Sequence, residues 1–315
     1  MGYAVGRVGQ ERDARHDDGR AARRDLLIIH NPAAGRRRES LYRATLAALE
    51  RWGCRLEIRP TTGPGDAEAF AREARDGSFD AVVAAGGDGT INEVINGLAG
   101  SAMPLGFISL GTANVFAAEI GLAVNPDAMA AALAEGPAVP AHVGRANGRA
   151  FGLMAGVGHD AHVVRDVDLA LKRRIGKGAY VWQAVLEIFR REPVLFDAVV
   201  DGVGHRAASI VVANGRHYGG RFVVAPDAGI ETPSFEVCLA ERTGRWATFR
   251  YAAALVLGML PRLRDYRIVT ARHVEIAAPA GEPVQGDGDD LTRLPVTIAL
   301  DPTPLSLIRP APAAG

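Results

Sequence analysis

Gly86-Gly87-Asp88-Gly89-Thr90-Ile91-Asn92 is the stretch of this sequence whose residue types could do chemistry most directly. It follows the apolar run Ala81-Val82-Val83-Ala84-Ala85 and leads into Ile91, Val94, Ile95 and Leu98 at helical spacing. A strand, a glycine loop and a helix start, in that order, make an anion site. Glycine lets the backbone close on a ligand, and the N–H groups of the first helical turn point at it. Asp88 inside such a loop would repel a phosphate, so its role runs through a nucleotide-bound Mg²⁺ or a water. A tight strand-to-helix turn is the plainer reading, but such a turn does not need three glycines around an acid. Thr90 and Glu93 have the spacing of a capping box, which puts the expected helix start at Thr90. A Gly-x4-Gly-Lys-Ser/Thr run does not occur, and no Gly-x-Gly-x-x-Gly opens a helix after the first strand. P-loop and ordinary dinucleotide sites are therefore unsupported.

The elements that must position this loop alternate. An apolar strand over 26–30 ends in Asn31-Pro32-Ala33-Ala34-Gly35; Leu41, Leu46 and Leu49 recur at helical spacing up to Gly53. A second strand over 56–59 precedes Thr61-Thr62-Gly63-Pro64-Gly65, a helix over 66–75 and the strand before the glycine loop. A fourth strand, 105–110, ends in Gly111-Thr112-Ala113-Asn114. This pattern predicts a parallel sheet with helices on both faces and ligand loops at the carboxyl ends of its strands. Beyond about Pro140 short β-rich runs take over (198–200, 209–213, 222–225, 235–239, 274–277 and 296–300), as in an antiparallel sandwich. Helical segments interrupt near 163–190 and 246–263. The expected organisation is a disordered tail over 1–24, an α/β nucleotide-binding domain over 25–140 that residues 303–315 could complete, and a β-rich domain over 141–302.

The 315 residues suffice for two domains; 48% are hydrophobic, as in a globular protein, and the formal net charge is zero. That balance gives no sign of a nucleic-acid partner. Cys54 and Cys238 make no disulfide framework and read as buried and inert, so a reducing cytoplasm is the simpler compartment. The longest apolar run, 251–260, is too short for a bilayer, which takes about 20 residues. Peripheral attachment to a membrane stays open. Lys172-Arg173-Arg174-Ile175-Gly176-Lys177 with Tyr180 and Trp182 suits either anionic headgroups or a solvated helix face. For 246–263, packing on the β domain is favoured over a membrane role.

Taken in order, several of these motifs resemble the soluble bacterial diacylglycerol kinase and lipid kinase family, which includes sphingosine and ceramide kinases. They are Asn31-Pro32-x-x-Gly35, Thr62-Gly63-Pro64-Gly65-Asp66, the Gly86 loop, Leu110-Gly111-Thr112-Ala113-Asn114, Gly156-Val157-Gly158-His159-Asp160-Ala161, Ala225-Pro226-Asp227-Ala228 and Gln285-Gly286-Asp287-Gly288-Asp289. The resemblance implies transfer of the γ-phosphate of ATP, with Mg²⁺, to the hydroxyl of a lipid met at a membrane surface. Asn31, Gly35, Thr62, Gly86, Gly87, Asp88, Gly89, Thr90, Asn92 and Thr112 match its nucleotide-binding positions. Its general base is the acid that ends an Asp-Gly-Glu motif, here Asp289, with Asp287 as the competing candidate. Taken alone, residues 286–290 read equally as an acidic hairpin turn.

The departures are Val115 where the family often has Asp, His159 for a Phe, and Thr232-Pro233 in place of an Asp-Gly turn. The last predicts that the family's structural metal site is absent or rebuilt around Glu231. These changes, with Asp289 in place of Glu, motivate one rival, a catalytically degenerate nucleotide- or lipid-binding regulator; the other rival is a kinase of the same fold acting on a sphingoid or other alcohol, since architecture does not settle the acceptor. NAD kinase shares the glycine loop but not the later motifs. A homodimer is compatible with all of these readings.

Overall fold

A computed structural model describes residues 22–34, 38–158, 161, 194–220 and 222–311. The helix expected over 163–190, Gly35, His159 and Asp160 lie outside them. The first half runs β1 (Asp25–His30), α1 (Glu39–Arg51), β2 (Arg55–Pro60), α2 (Asp66–Glu73), β3 (Ala81–Gly86), α3 (Asp88–Leu98), β4 (Leu105–Ser109), α4 (Val115–Glu119), α5 (Pro126–Glu135) and β5 (Ala138–Ala141). β1, β3 and β4 are apolar nearly throughout because both faces of their sheet are covered, whereas β2 is mostly exposed, as an edge strand can be. β2, β1, β3 and β4 lie side by side in parallel.

The second half contains β6 (Gly144–Ala146), β7 (Arg149–Phe151), β8 (Met154–Val157), β9 (Phe196–Val200), β10 (Val203–Ala207), β11 (Ser209–Ala213), β12 (His217–Tyr218), β13 (Phe222–Val223) and β14 (Phe235–Ala240). Then come α6 (Arg245–Val256), a 3₁₀ turn (Leu260–Arg262), β15 (Tyr266–Ala271), β16 (His273–Ala278), β17 (Pro283–Gly286), β18 (Asp289–Arg293), β19 (Val296–Leu300) and β20 (Leu305–Ile308). Two antiparallel sheets, ordered β10-β9-β16-β19-β6-β7 and β15-β14-β11-β8-β17-β18, face each other. Phe151, Phe196, Ile210, Phe235, Val274 and Ile298 fill the space between them. The fold is thus an α/β domain with a mostly parallel sheet joined to an antiparallel β sandwich. β20 leaves the sandwich region and enters the first sheet, parallel to β4 and antiparallel to β5.

Three local expectations are corrected. α3 starts at Asp88, not Thr90, with Gly87 in extended backbone before it and no side-chain cap. Thr90 instead accepts a hydrogen bond from Asn31, and Glu93 accepts one from the amide of Ala67. α5 was not anticipated, although Asn125 caps it by accepting from the Ala128 amide and Pro126 opens its first turn. The segment 246–263 breaks at Val256 and turns its large apolar residues outward; of α6 itself only Ala254 is buried.

Candidate active site

The loops after β1, β2, β3 and β4 all leave the carboxyl edge of the parallel sheet, because each strand is followed by a crossover helix. Two backbone contacts draw the central pair together. The Leu110 amide donates to the Gly86 carbonyl at 2.8 Å, and a β-carbon placed on Gly111 would lie 2.8 Å from the Cα of Gly87. Only glycine permits that approach. Gly86 is constrained similarly: a β-carbon there would stand 2.5 Å from the Thr90 hydroxyl. Asn31 Nδ2 donates to that same hydroxyl at 3.0 Å, while its Oδ1 accepts from the amides of Ala33 and Ala34. Asn31 therefore ties the loop after β1 to the first turn of α3.

Asp88, the first residue of α3, turns toward the start of α4. Its Oδ1 accepts from the Phe116 amide at 3.3 Å, and the amides of Asn114 and Val115 also point at the carboxylate. Burial pushes its pKa up, and these amides pull the other way. Asn114, in left-handed backbone at φ 50°, brings those N–H groups into place. Val115 is buried in the α/β core, so its side chain takes no part in this polar cluster. Thr112 is exposed in the same loop. Thr62 sits apart: its amide and hydroxyl both donate to Asp66 at 2.7 Å, and the Gly63 amide adds a third bond. These bonds hold the Asp66 carboxyl below its ordinary range.

From the sandwich side, a hairpin delivers two more acids. Asp287 and Gly288 form the two-residue turn between β17 and β18, with φ of 52° and 86°. Positive φ at both central positions is the mark of a type I′ turn, for which Asp-Gly is a favoured pair. The Asp287 carboxylate accepts four bonds: from Gly152 N and Asn92 Nδ2 at 2.7 Å, Leu153 N at 2.8 Å and Met154 N at 3.0 Å. Burial pushes its pKa up against those donors. Because Asn92 belongs to α3 and Gly152 packs on Phe116 and Ile95, Asp287 fastens the hairpin to the α/β domain. The next acid, Asp289, is exposed and reaches the glycine loop: its Oδ2 lies 3.1 Å from where a β-carbon on Gly89 would be.

Residues 86–92, Asn31, Gly111, Asn114, Asp287 and Asp289 thus converge, while Gly35 lies outside the described residues. Sequence reasoning missed three positioning groups. Asn114 was quoted only as part of a motif. Asn96 bridges Asn92 and the backbone of Ala150. Glu119 accepts from His217 Nδ1 at 2.7 Å and from the amides of Arg216 and His217, fixing the β12–β13 ribbon to α4. Glu231 is ion-paired with Arg309. Among the described residues no cluster of three His, Cys, Asp or Glu side chains could by itself hold a metal. Cys54 and Cys238 are both buried, and burial pushes the Cys238 thiol up to about 12.

The comparisons with known proteins identify both halves of the chain. Residues 25–146 match the diacylglycerol kinase catalytic domain, and residues 154–309 match the YegS C-terminal NAD kinase beta sandwich-like domain. A diacylglycerol kinase of Bacillus subtilis (strain 168) is 31% identical over 265 residues, covering 82% of this chain and 86% of that one. A Pseudomonas aeruginosa (strain UCBPP-PA14) protein named "Probable lipid kinase YegS-like" is 30% identical over 303 residues, covering 91% and 94%. A crystal structure of a diacylglycerol kinase from Bacillus anthracis str. Sterne superposes with a TM-score of 0.74 at 26% identity, covering 91% of this chain and 97% of that one. The chain belongs to the diacylglycerol kinase and YegS-type lipid kinase family.

Proposed function

We propose that this protein transfers the γ-phosphate of ATP to the hydroxyl of diacylglycerol or a related lipid, with Asp289 as general base. The observation that carries the reading is the Asp289 carboxylate poised over Gly89, where an acceptor oxygen could approach a phosphoryl group held by the glycine loop. The amides of residues 87–89 at the start of α3 suit phosphate oxygens. Asn31 and Gly111 fix that loop, and Asp287 fixes the hairpin that presents Asp289. Asp289 takes the hydroxyl proton as the acceptor oxygen bonds to the γ-phosphorus and the bond to ADP breaks. Asp287 is the weaker candidate because its carboxylate is taken up by three backbone amides and the Asn92 side chain.

The donor set fits Mg²⁺ only as a nucleotide chelate: one or two carboxylates completed by phosphate oxygens is the ordinary arrangement for this ion. Asp88 is the residue that would hold it. When bound, Mg²⁺ neutralises charge on the transferred phosphoryl.

The test is transfer of labelled γ-phosphate to a panel of lipids in mixed micelles, comparing the protein with Asp289→Asn and following ATP binding in parallel. Product that depends on Mg²⁺ and collapses in the variant supports the reading. Binding of ATP with no product on any lipid would favour a regulator without turnover.

A further inference from the structure

α6 is apolar on both of its faces, and the larger apolar side chains are on the face turned to solvent. Toward the sandwich it presents small or modest side chains: Ala254 is buried, and Ala247, Thr248, Tyr251 and Leu255 are half-buried. Toward solvent it presents Trp246 at 85% exposure, Phe249 at 58% and Val256 at 65%, and the residue that ends it, Leu257, is 71% exposed. Steps of three and seven residues from Trp246 through Phe249 to Val256 keep these side chains on one helical face. Met259 and, on the adjoining β13, Phe222 are also exposed. Isolated exposed apolar residues need no explanation, but a contiguous row of this size marks a contact surface.

Charge identifies what the surface contacts. The chain as a whole is neutral, yet residues 242–264 carry five arginines and no acid. Asp265, just beyond, takes Arg242 at 3.3 Å and also pairs with Arg250. Arg262 and Arg264 are exposed beside the apolar row. Large apolar side chains on an exposed helical face, with exposed arginines in and just after the helix, match an anionic bilayer surface: the apolar groups enter the acyl boundary and the arginines meet headgroup phosphates. No described helix is long and apolar enough to cross a membrane, so contact is along the interface.

We infer that α6 and the following turn form a membrane-docking face selective for anionic lipid. This rests on the reading that the acceptor is a lipid, and adds how the protein reaches it. α6, through Ala254, and the following turn, through Leu260, cover the sheet, packed with Cys238 and Tyr266 of β14 and β15. Asp289 opens β18 at the opposite edge of that same sheet, five strand spacings or about 24 Å away. One rigid sheet therefore carries both the docking face and the proposed base. The β12–β13 ribbon, fastened to α4 by Glu119 and His217, links the docking face to the loop that touches Gly87.

The experiment is cosedimentation of the full chain with phosphatidylcholine vesicles, with and without phosphatidylglycerol, in the absence of ATP. The proteins compared are the parent, Trp246→Ser/Phe249→Ser and Arg262→Glu/Arg264→Glu. The parent is expected to bind vesicles containing phosphatidylglycerol and to lose binding as salt rises. The aromatic variant should bind at least tenfold more weakly while melting at the same temperature. The charge-reversed variant should lose its preference for phosphatidylglycerol. Phosphorylation of a monomeric short-chain diacylglycerol should be the same in parent and aromatic variant. Equal vesicle binding by parent and aromatic variant overturns the inference, as does failure of the parent to bind any vesicle. A parent that dimerises in solution and becomes monomeric in the aromatic variant overturns it too, in favour of self-association. Vesicle binding without phosphorylation of any lipid would sink the kinase reading and leave the docking face standing.

Discussion

The Asp289 carboxylate and Gly89 belong to different domains, yet Oδ2 of the acid lies 3.1 Å from the point a β-carbon on the glycine would occupy. Asp289→Asn keeps the shape and removes the proposed base. Turnover should fall on the order of 10²- to 10⁴-fold. Because Asp289 is exposed, unfolding free energy should move by no more than about 0.5 kcal/mol.

Gly89→Ala separates geometry from stability. The added methyl meets the Asp289 carboxylate, so turnover should drop. Alanine in the first turn of α3 is a better helix former, so stability should hold or rise by up to about 1 kcal/mol. Kinetics and urea melts on one preparation check both outcomes.

Asp287→Asn, unlike Asp289→Asn, should cost stability as well as turnover. An amide cannot accept from all four of the donors that converge on this carboxylate, and at least one N–H would lose its partner. A loss of about 2–3 kcal/mol in urea unfolding is expected, with turnover falling because the hairpin loosens.

Gly111→Ala sets a β-carbon 2.8 Å from the Cα of Gly87, where backbone meets backbone and no side chain can swing aside. Destabilisation of about 1–3 kcal/mol is expected, with weaker ATP binding by calorimetry.

His30 predicts a pH dependence of stability. Its ring is buried and stacked on Tyr42 at 3.9 Å, and burial lowers its pKa. The unfolded state then binds more protons below the ordinary histidine value of about 6.5, so stability is complete above that pH and declines as pH falls toward the lowered folded value. His30→Phe keeps the stack and removes the titration. Melts between neutral and mildly acidic pH should show a flatter profile in the variant.

How much of this was legible in the sequence depended on range. The α/β half could be read because β1 and β3 are apolar runs that end in glycine-containing loops, and each local signal agrees with the global fold. The start of α3 was misread because Thr90 and Glu93 satisfy a local rule while both have longer-range partners, Asn31 and Ala67. In the sandwich, β17 and β18 were missed: their register is set by a two-residue turn and by pairing with β8, which no short window displays. The Asp-Gly-Asp stretch was weighed as either an acidic hairpin turn or a functional acid. It folds as the turn, and the turn is what aims Asp289.

The place of β20 has a consequence for how the protein is made. β4 and β5 are separated in the finished sheet by a strand 164 residues downstream of Ala141. At ribosomal rates of roughly 5–20 residues per second, the edge of β4 waits on the order of ten to forty seconds for its neighbour. During that interval it is an open pairing edge beside a half-built candidate site. The kinase sheet can close only after the sandwich has been synthesised, which couples the completion of one domain to the delivery of the other.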